Sequence, residues 1–219
     1  MGEVDRSVYV ATLVDVDRPV YNGAMNAPAI PSIHDLPARE RILLTAHDLF
    51  YRDGIRATGI DRVIAAAGVT KVTFYRHFPS KNDLILAFLD YRHQRWINWF
   101  RDALHRHGGF AAAGVGALLP ALAEWLGDPA YRGCAFINTA VELGGSLPQA
   151  LELARRHKAD MTLLIVELLP AGSSRDNDAQ AIALLVDGAI VRAQLDQAPD
   201  AAICLLARLL QPWLAASQA

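Results

Sequence analysis

Cysteines, strand signals, metal-ligand clusters and long apolar runs are all scarce in this chain. Only two cysteines occur among 219 residues, Cys134 and Cys204, both inside apolar helical patterns. That excludes a disulfide framework and points to buried free thiols in a reducing cytoplasm. No Cys and His stand at zinc-ligand spacing, so no metal or other cofactor is expected. No apolar run reaches the ~18 residues of a membrane span. The N-terminus lacks the basic start and apolar core of a secretory signal. Paired carboxylates, a nucleophile beside a base and a phosphate-cradling glycine loop are missing too. Gly144-Gly145-Ser146 reads as a helix break and Gly108-Gly109 as a hinge. An enzyme is therefore disfavoured, and Cys134, with no evident base, is a poor redox sensor.

Net charge is also small, at −2, but its distribution is uneven. From Arg39 to Arg95 there are ten lysines and arginines against six acids, a balance of +4 that leaves −6 elsewhere. A small basic head on an acidic body is the expected arrangement, and His47, His77 and His93 can add charge to the head below neutral pH.

What is present is helix. The chain is 53% hydrophobic, enough for a sizeable core, and its glycines and prolines mostly punctuate. Residues 1–35 read as a disordered leader, broken by Pro19, Gly23, Pro28 and Pro31; Val8 to Val14 has strand character but no second strand to pair with. Met25 is an alternative start, and a partner-binding arm is the other reading of this segment. A head at 36–96 is expected next, followed by a body at 97–219. Ala38 to Asp53 forms the first helix, with Ile42, Leu43, Ala46, Leu49 and Phe50 on one stripe and Gly54 as a left-handed cap. Thr58 and Asp61 suggest a capping box for the second helix, which Gly68 ends. Thr70 caps a third helix stopped by Pro79, and Ser80 with Asp83 opens a fourth running to about His107. Five body helices follow: 111–126, 135–143, 147–169, 177–196 (interrupted by Gly188) and 200–216 with a bend at Pro212. The fold class is all-α, about nine helices.

The segment 59–78 has the layout of a helix-turn-helix, whose second helix enters the DNA major groove. Thr70 and Thr73 offer hydroxyls to phosphate, or methyl groups to thymine. Lys71 reads guanine or neutralises phosphate. Tyr75, Arg76 and His77 suit flanking phosphates, as do Lys81 in the next helix and Thr58 before the second. A plain three-helix core with solvated cations would explain each residue singly, but not their joint occurrence. Double-stranded DNA is the expected partner.

Residues Ala38 to about Trp96 resemble the DNA-binding head of the TetR family of bacterial transcription regulators. Ala46, Phe50, Gly54, Thr58, Ile64, Ala65, Ala67-Gly68-Val69-Thr70, Phe74-Tyr75-Arg76-His77-Phe78 and Ser80-Lys81-Asn82-Asp83-Leu84 carry the resemblance. Val72 departs from it, standing where such proteins often have glycine. The resemblance implies a homodimeric regulator, in most cases a repressor, that binds a palindromic operator and is released by a small, largely apolar effector. It places that effector near Trp96, Trp99 and Phe100 of the fourth helix, with Trp125, Phe136 and Met161 as further walls and Asn138, Glu142 and His157 as polar groups. Aromatics at such spacing also suit a plain core. Ile182, Leu185, Val186, Ala189 and Ile190, with Ile203, Leu206, Leu209, Leu210 and Trp213, form stripes that suit a dimer interface or a bundle closing on itself. A helical adaptor with an inactive head is the alternative function.

Overall fold

Ten α-helices and one 3-10 turn account for the regular structure in the computed structural model, which describes residues 35–216. The expectations for the leader, its strand-like segment and Met25 lie outside the described residues. No strand occurs among the described residues, as an all-α reading requires. No helix among them is long and apolar enough to cross a membrane.

Helices α1 (Ala38–Asp53), α2 (Ile60–Ala66) and α3 (Lys71–His77) form the head. Ile42, Ala46, Leu49 and Phe50 recur at helical spacing on α1 and are buried against Val63, Ala67, Phe74 and Phe78. Helix α4 (Lys81–Arg106) opens on Ser80, whose Oγ accepts from Asp83 N at 3.2 Å. Its first half buries Leu84, Ile85, Phe88 and Leu89, and its second half Trp96, Phe100, Ala103 and Leu104. At about 1.5 Å per residue it is roughly 39 Å long. One buried cluster runs continuously along it from head to body.

The body comprises α5 (Leu118–Leu126), α6 (Ala135–Leu143), α7 (Pro148–Glu167), α8 (Arg175–Asp196), α9 (Pro199–Leu209) and α10 (Gln211–Ala216). Helix α7 packs between α4, α6 and α8, and α8 packs along α9. Three boundaries differ from the sequence expectation. Helix α5 starts at Leu118, not Ala111, after a 3-10 turn at Gly114–Ala117. Pro120 then falls in the first turn, where its missing N–H costs nothing. Gly188 leaves α8 unbroken. Pro212 does more than bend the last helix: it cannot donate to Arg208, the α9 ladder stops, and α10 begins separately. Gly109, expected in a hinge, sits in a packed corner where a Cβ would come within 2.8 Å of Leu168 and 2.9 Å of Ala117.

Deep between α4 and α7, His93 and His157 bring their Nδ1 atoms to 3.3 Å, and His93 Nε2 lies 3.4 Å from the Asp160 carboxylate. One of the two Nδ1 atoms carries the hydrogen and donates it to the other, which accepts. Phe136 stacks on His157 with centroids 3.8 Å apart. Burial is the main reason that the His157 pKa is pushed down to about 2, with Lys158, His93, Arg92 and Arg156 adding repulsion. Burial also lowers His93, aided by Arg156 and opposed by Asp160 and Asp90.

Because the folded pKa of His157 lies below its unfolded value of 6.5, the unfolded chain binds the extra proton. Its contribution to stability is complete above pH 6.5 and falls as the pH drops toward about 2. Urea unfolding between pH 7 and pH 4.5 is expected to show this decline. His157→Leu should flatten it by up to about 1.4 kcal/mol per pH unit; an unchanged slope would show that His157 is not held neutral.

Candidate nucleic-acid interface and ligand cavities

Chain reversal between α2 and α3 depends on Gly68, whose φ of 61° is left-handed and costs other residues ~1–2 kcal/mol. Thr70 then caps α3, its Oγ1 accepting from Thr73 N at 3.1 Å and lying 2.9 Å from the Thr73 hydroxyl. Phe74, fully buried, anchors the inner face of this short helix, with Phe78 below it. Lys71, Val72, Tyr75 and Arg76 are consequently exposed together, while Thr73 and His77 are half-buried at the edge. Val72 is 71% exposed, an apolar residue presented outward amid cations and hydroxyls. The Lys71 ammonium stands 3.6 Å from the Asp61 carboxylate on the open surface, a weak pair that a phosphate can displace.

Two other residues expected at DNA are used inside the head. Thr58 is fully buried and donates to Gly54 O at 2.8 Å, so it forms no capping box with Asp61 and presents nothing to a phosphate. Helix α2 is capped by Gly59 without a side-chain bond. Lys81 donates to Ile55 O at 2.7 Å beneath the Phe50 ring, and burial lowers its pKa against the pull of Glu142. Both side chains hold the 54–59 loop. Gly54 has a positive φ but an extended ψ of 152°, not the left-handed cap expected.

Head and body also touch away from α4. Tyr51 donates to Gly133 O at 2.9 Å and accepts from Arg132 N at 3.0 Å, while Glu142 on α6 accepts from Arg56 N at 2.9 Å. A cavity of about 680 Å³ lies between these ties, walled by Phe50, Tyr51, Gly54, Phe88, Tyr131, Thr139 and Gln194. Of the expected effector residues, Asn138 and Glu142 line it.

A second cavity, of about 330 Å³, opens where α1 faces α4, lined among others by the expected Trp96, Trp99 and Trp125. It also takes in His47, Tyr51, Arg92, Arg95 and Tyr131, which sequence reasoning missed. Arg92, Arg95, Trp96 and Trp99 recur at three and four residues, so the helical period carried the signal. The Arg92 guanidinium stacks on Tyr51 at 3.9 Å and donates to His47 Nε2 at 3.2 Å. His47 therefore keeps its proton on Nδ1, which donates to Asp48 at 3.0 Å; burial first and Arg92 second among the opposing effects lower its pKa. Phe100, Phe136, His157 and Met161 line neither cavity. They are fully or almost fully buried and fill the body's core instead.

The expected dimer stripes also turn inward. Ile182, Val186, Ala189, Ile190, Leu206 and Leu210 are buried within the subunit, Leu185, Ile203 and Trp213 are half-buried, and only Leu209 is open. The outer face of α8 is instead Ala181, Leu184, Gly188 and Leu195, with Val191 half-buried; that of α9 is Ala201, Leu205 and Leu209. Both faces of these helices are apolar, and periodicity alone does not say which one the subunit itself covers.

Comparison with known proteins agrees with this geometry. Residues 42–88 match the family model described as bacterial regulatory proteins, tetR family. The chain is 38% identical over 72 residues to the HTH-type transcriptional activator FasR of Mycolicibacterium smegmatis, which covers 32% of this chain and 33% of that protein. It is 28% identical over 158 residues to the transcriptional regulator AcuR of Cereibacter sphaeroides, covering 67% and 72% respectively. A solved TetR-family regulator from Streptomyces coelicolor is 29% identical and superposes with a TM-score of 0.69 over 81% of this chain and 96% of its own. Residues 42–88 thus form a helix-turn-helix head of the tetR type, and the chain shares its fold with solved TetR-family regulators.

Proposed function

We propose that this protein is a cytoplasmic, homodimeric repressor that binds a palindromic operator through α3 and leaves it when a small molecule enters the head–body junction. The observation that carries the reading is the outer face of α3, where Lys71, Val72, Tyr75 and Arg76 lie exposed opposite the buried Phe74 anchor. In this reading residues 36–96 are the reading head and residues 97–219 the effector-binding and dimerisation body. The relative FasR is named an activator; repression here follows from an operator that overlaps a promoter and is vacated on ligand binding.

The dimer is assigned to the outer faces of α8 and α9. Leu184 and Leu195 on α8 are 74% and 71% exposed, and Leu205 and Leu209 on α9 are 45% and 47%. Isolated apolar side chains at a surface are ordinary, but four on two adjacent helices form a seam suited to a second copy. Two heads so joined must meet successive major grooves about 34–36 Å apart, or a multiple of that, so a small tilt of α4 ends binding.

Gel-shift or anisotropy titrations against DNA upstream of the protein's own coding region are expected to give saturable binding to a palindrome. Lys71→Ala and Arg76→Ala should each weaken it and lower the slope of log affinity against log salt by about one. Unchanged slopes would remove α3 from the phosphate backbone. In sedimentation, Leu184→Glu with Leu195→Glu should give folded monomers that no longer shift the palindrome. Val141→Glu, changing a residue 83% exposed on α6, should remain dimeric. A dimeric double variant would exclude the α8–α9 seam.

A further inference from the structure

We propose that the cavity between α1 and α4 is a receptor for a small planar monocarboxylate, gripped by Arg92 and Arg95 and stacked on the indoles of Trp96, Trp99 and Trp125. It deepens the effector reading of the head–body junction, on which its regulatory consequence rests.

Charge is the first argument. Four arginines, Arg52, Arg92, Arg95 and Arg132, and two aspartates, Asp48 and Asp128, line the cavity. Arg52 is closed by a two-pronged bond to Asp53 at 2.9 and 3.0 Å. Arg132 donates to the carbonyls of Pro129 and Tyr131. Asp48 accepts from His47, and Asp128 from Ala130 N. Arg92 and Arg95 are different: their partners are neutral, the His47 ring nitrogen and Tyr51 face for one and the Tyr91 hydroxyl for the other. Neither forms an ion pair with a carboxylate among the described residues. Each guanidinium has five N–H donors in a fork matched to a carboxylate, and most of these remain uncommitted. The aspartates on the same walls would repel a dianion, which selects a single negative charge.

Shape and wall chemistry supply the rest. Trp96 and Trp125 are only 6% and 5% exposed, with ring centroids 5.2 Å apart, and Trp99 completes the wall 6.5 Å from Trp125. Flat apolar surfaces beside a cationic fork favour a ligand with a ring at one end and an anion at the other. Trp96 Nε1 is a buried donor with no acceptor among the described residues. The volume of about 330 Å³ lies at the low end of small-molecule sites and fits one or two fused rings. Tyr51, which forms part of the wall, also ties the head to the body loop.

The test uses the full-length protein, with tryptophan fluorescence and calorimetry as readouts. The probes are 2-naphthoate, cinnamate and indole-3-acetate, each beside its uncharged amide. Each acid is expected to bind about tenfold tighter than its amide. Arg95→Gln and, independently, Arg92→Gln should bring the pair within about twofold while thermal melting shows a folded protein. Equal binding of acids and amides, no acid binding below ~1 mM, or an acid preference that survives both variants would overturn the proposal. Operator release, measured in parallel, separates the two readings. Arginine-dependent acid binding that leaves the DNA complex intact upholds the cavity assignment and removes its effector role. Failure of every acid to bind through Arg92 and Arg95, while the protein still binds its operator, overturns the cavity assignment and leaves the regulator reading standing.

Discussion

Everything in this molecule is referred to one helix. Helix α4 has no independent face for head and body; its first half closes the head's core with Leu84, Ile85, Phe88 and Leu89, and its second half fills the body with Trp96, Phe100 and Leu104. A continuous i to i+4 hydrogen-bond ladder joins these halves, so displacement at one end is carried to the other with little loss in bending. Close packing on both halves makes a shift of the helix a choice between discrete arrangements. The cavities lie beside this element, where a small change in fit has the greatest leverage on the head.

Second contacts limit what α4 can do alone. Tyr51 and Glu142 bridge head and body through Gly133, Arg132 and Arg56, flanking the larger cavity. A rigid shared helix with polar ties at its side behaves as a lever with latches. Each latch is a neutral or charge-assisted hydrogen bond near solvent, of modest net strength.

Local features were legible in the sequence, and features that depend on which face meets which were not. Thr70 and Ser80 cap their helices as read, because a cap is decided within four residues. Thr58 has the same Thr-x-x-Asp spacing before a helix, yet its hydroxyl folds back onto Gly54 O; the pattern does not record the loop's direction. That Lys81 also holds Ile55 O, 26 residues away, was not legible, because only tertiary structure brings that carbonyl to its amine. The histidine pair is 64 residues apart and has no sequence signature at all. On α8 and α9 the apolar stripes were recognised, but not that the subunit itself buries most of them, since a helix apolar on two faces shows the same period from either. Aromatics on α4 were likewise noticed, while the arginines interleaved with them at the same period were counted only in the head's charge.

One feature of the latches separates two kinds of evolutionary change. Glu142 grips Arg56 through its backbone N–H, Lys81 grips the carbonyl of Ile55, and the Tyr51 hydroxyl bonds to the main chain at Gly133 and Arg132. These bonds reach main-chain atoms. The exposed side chains of Arg56 and Arg132 can change, and the outward positions of α3 can be rewritten for another DNA sequence, without disconnecting the head from the body. Recognition and transmission are thus modular within a single continuous core.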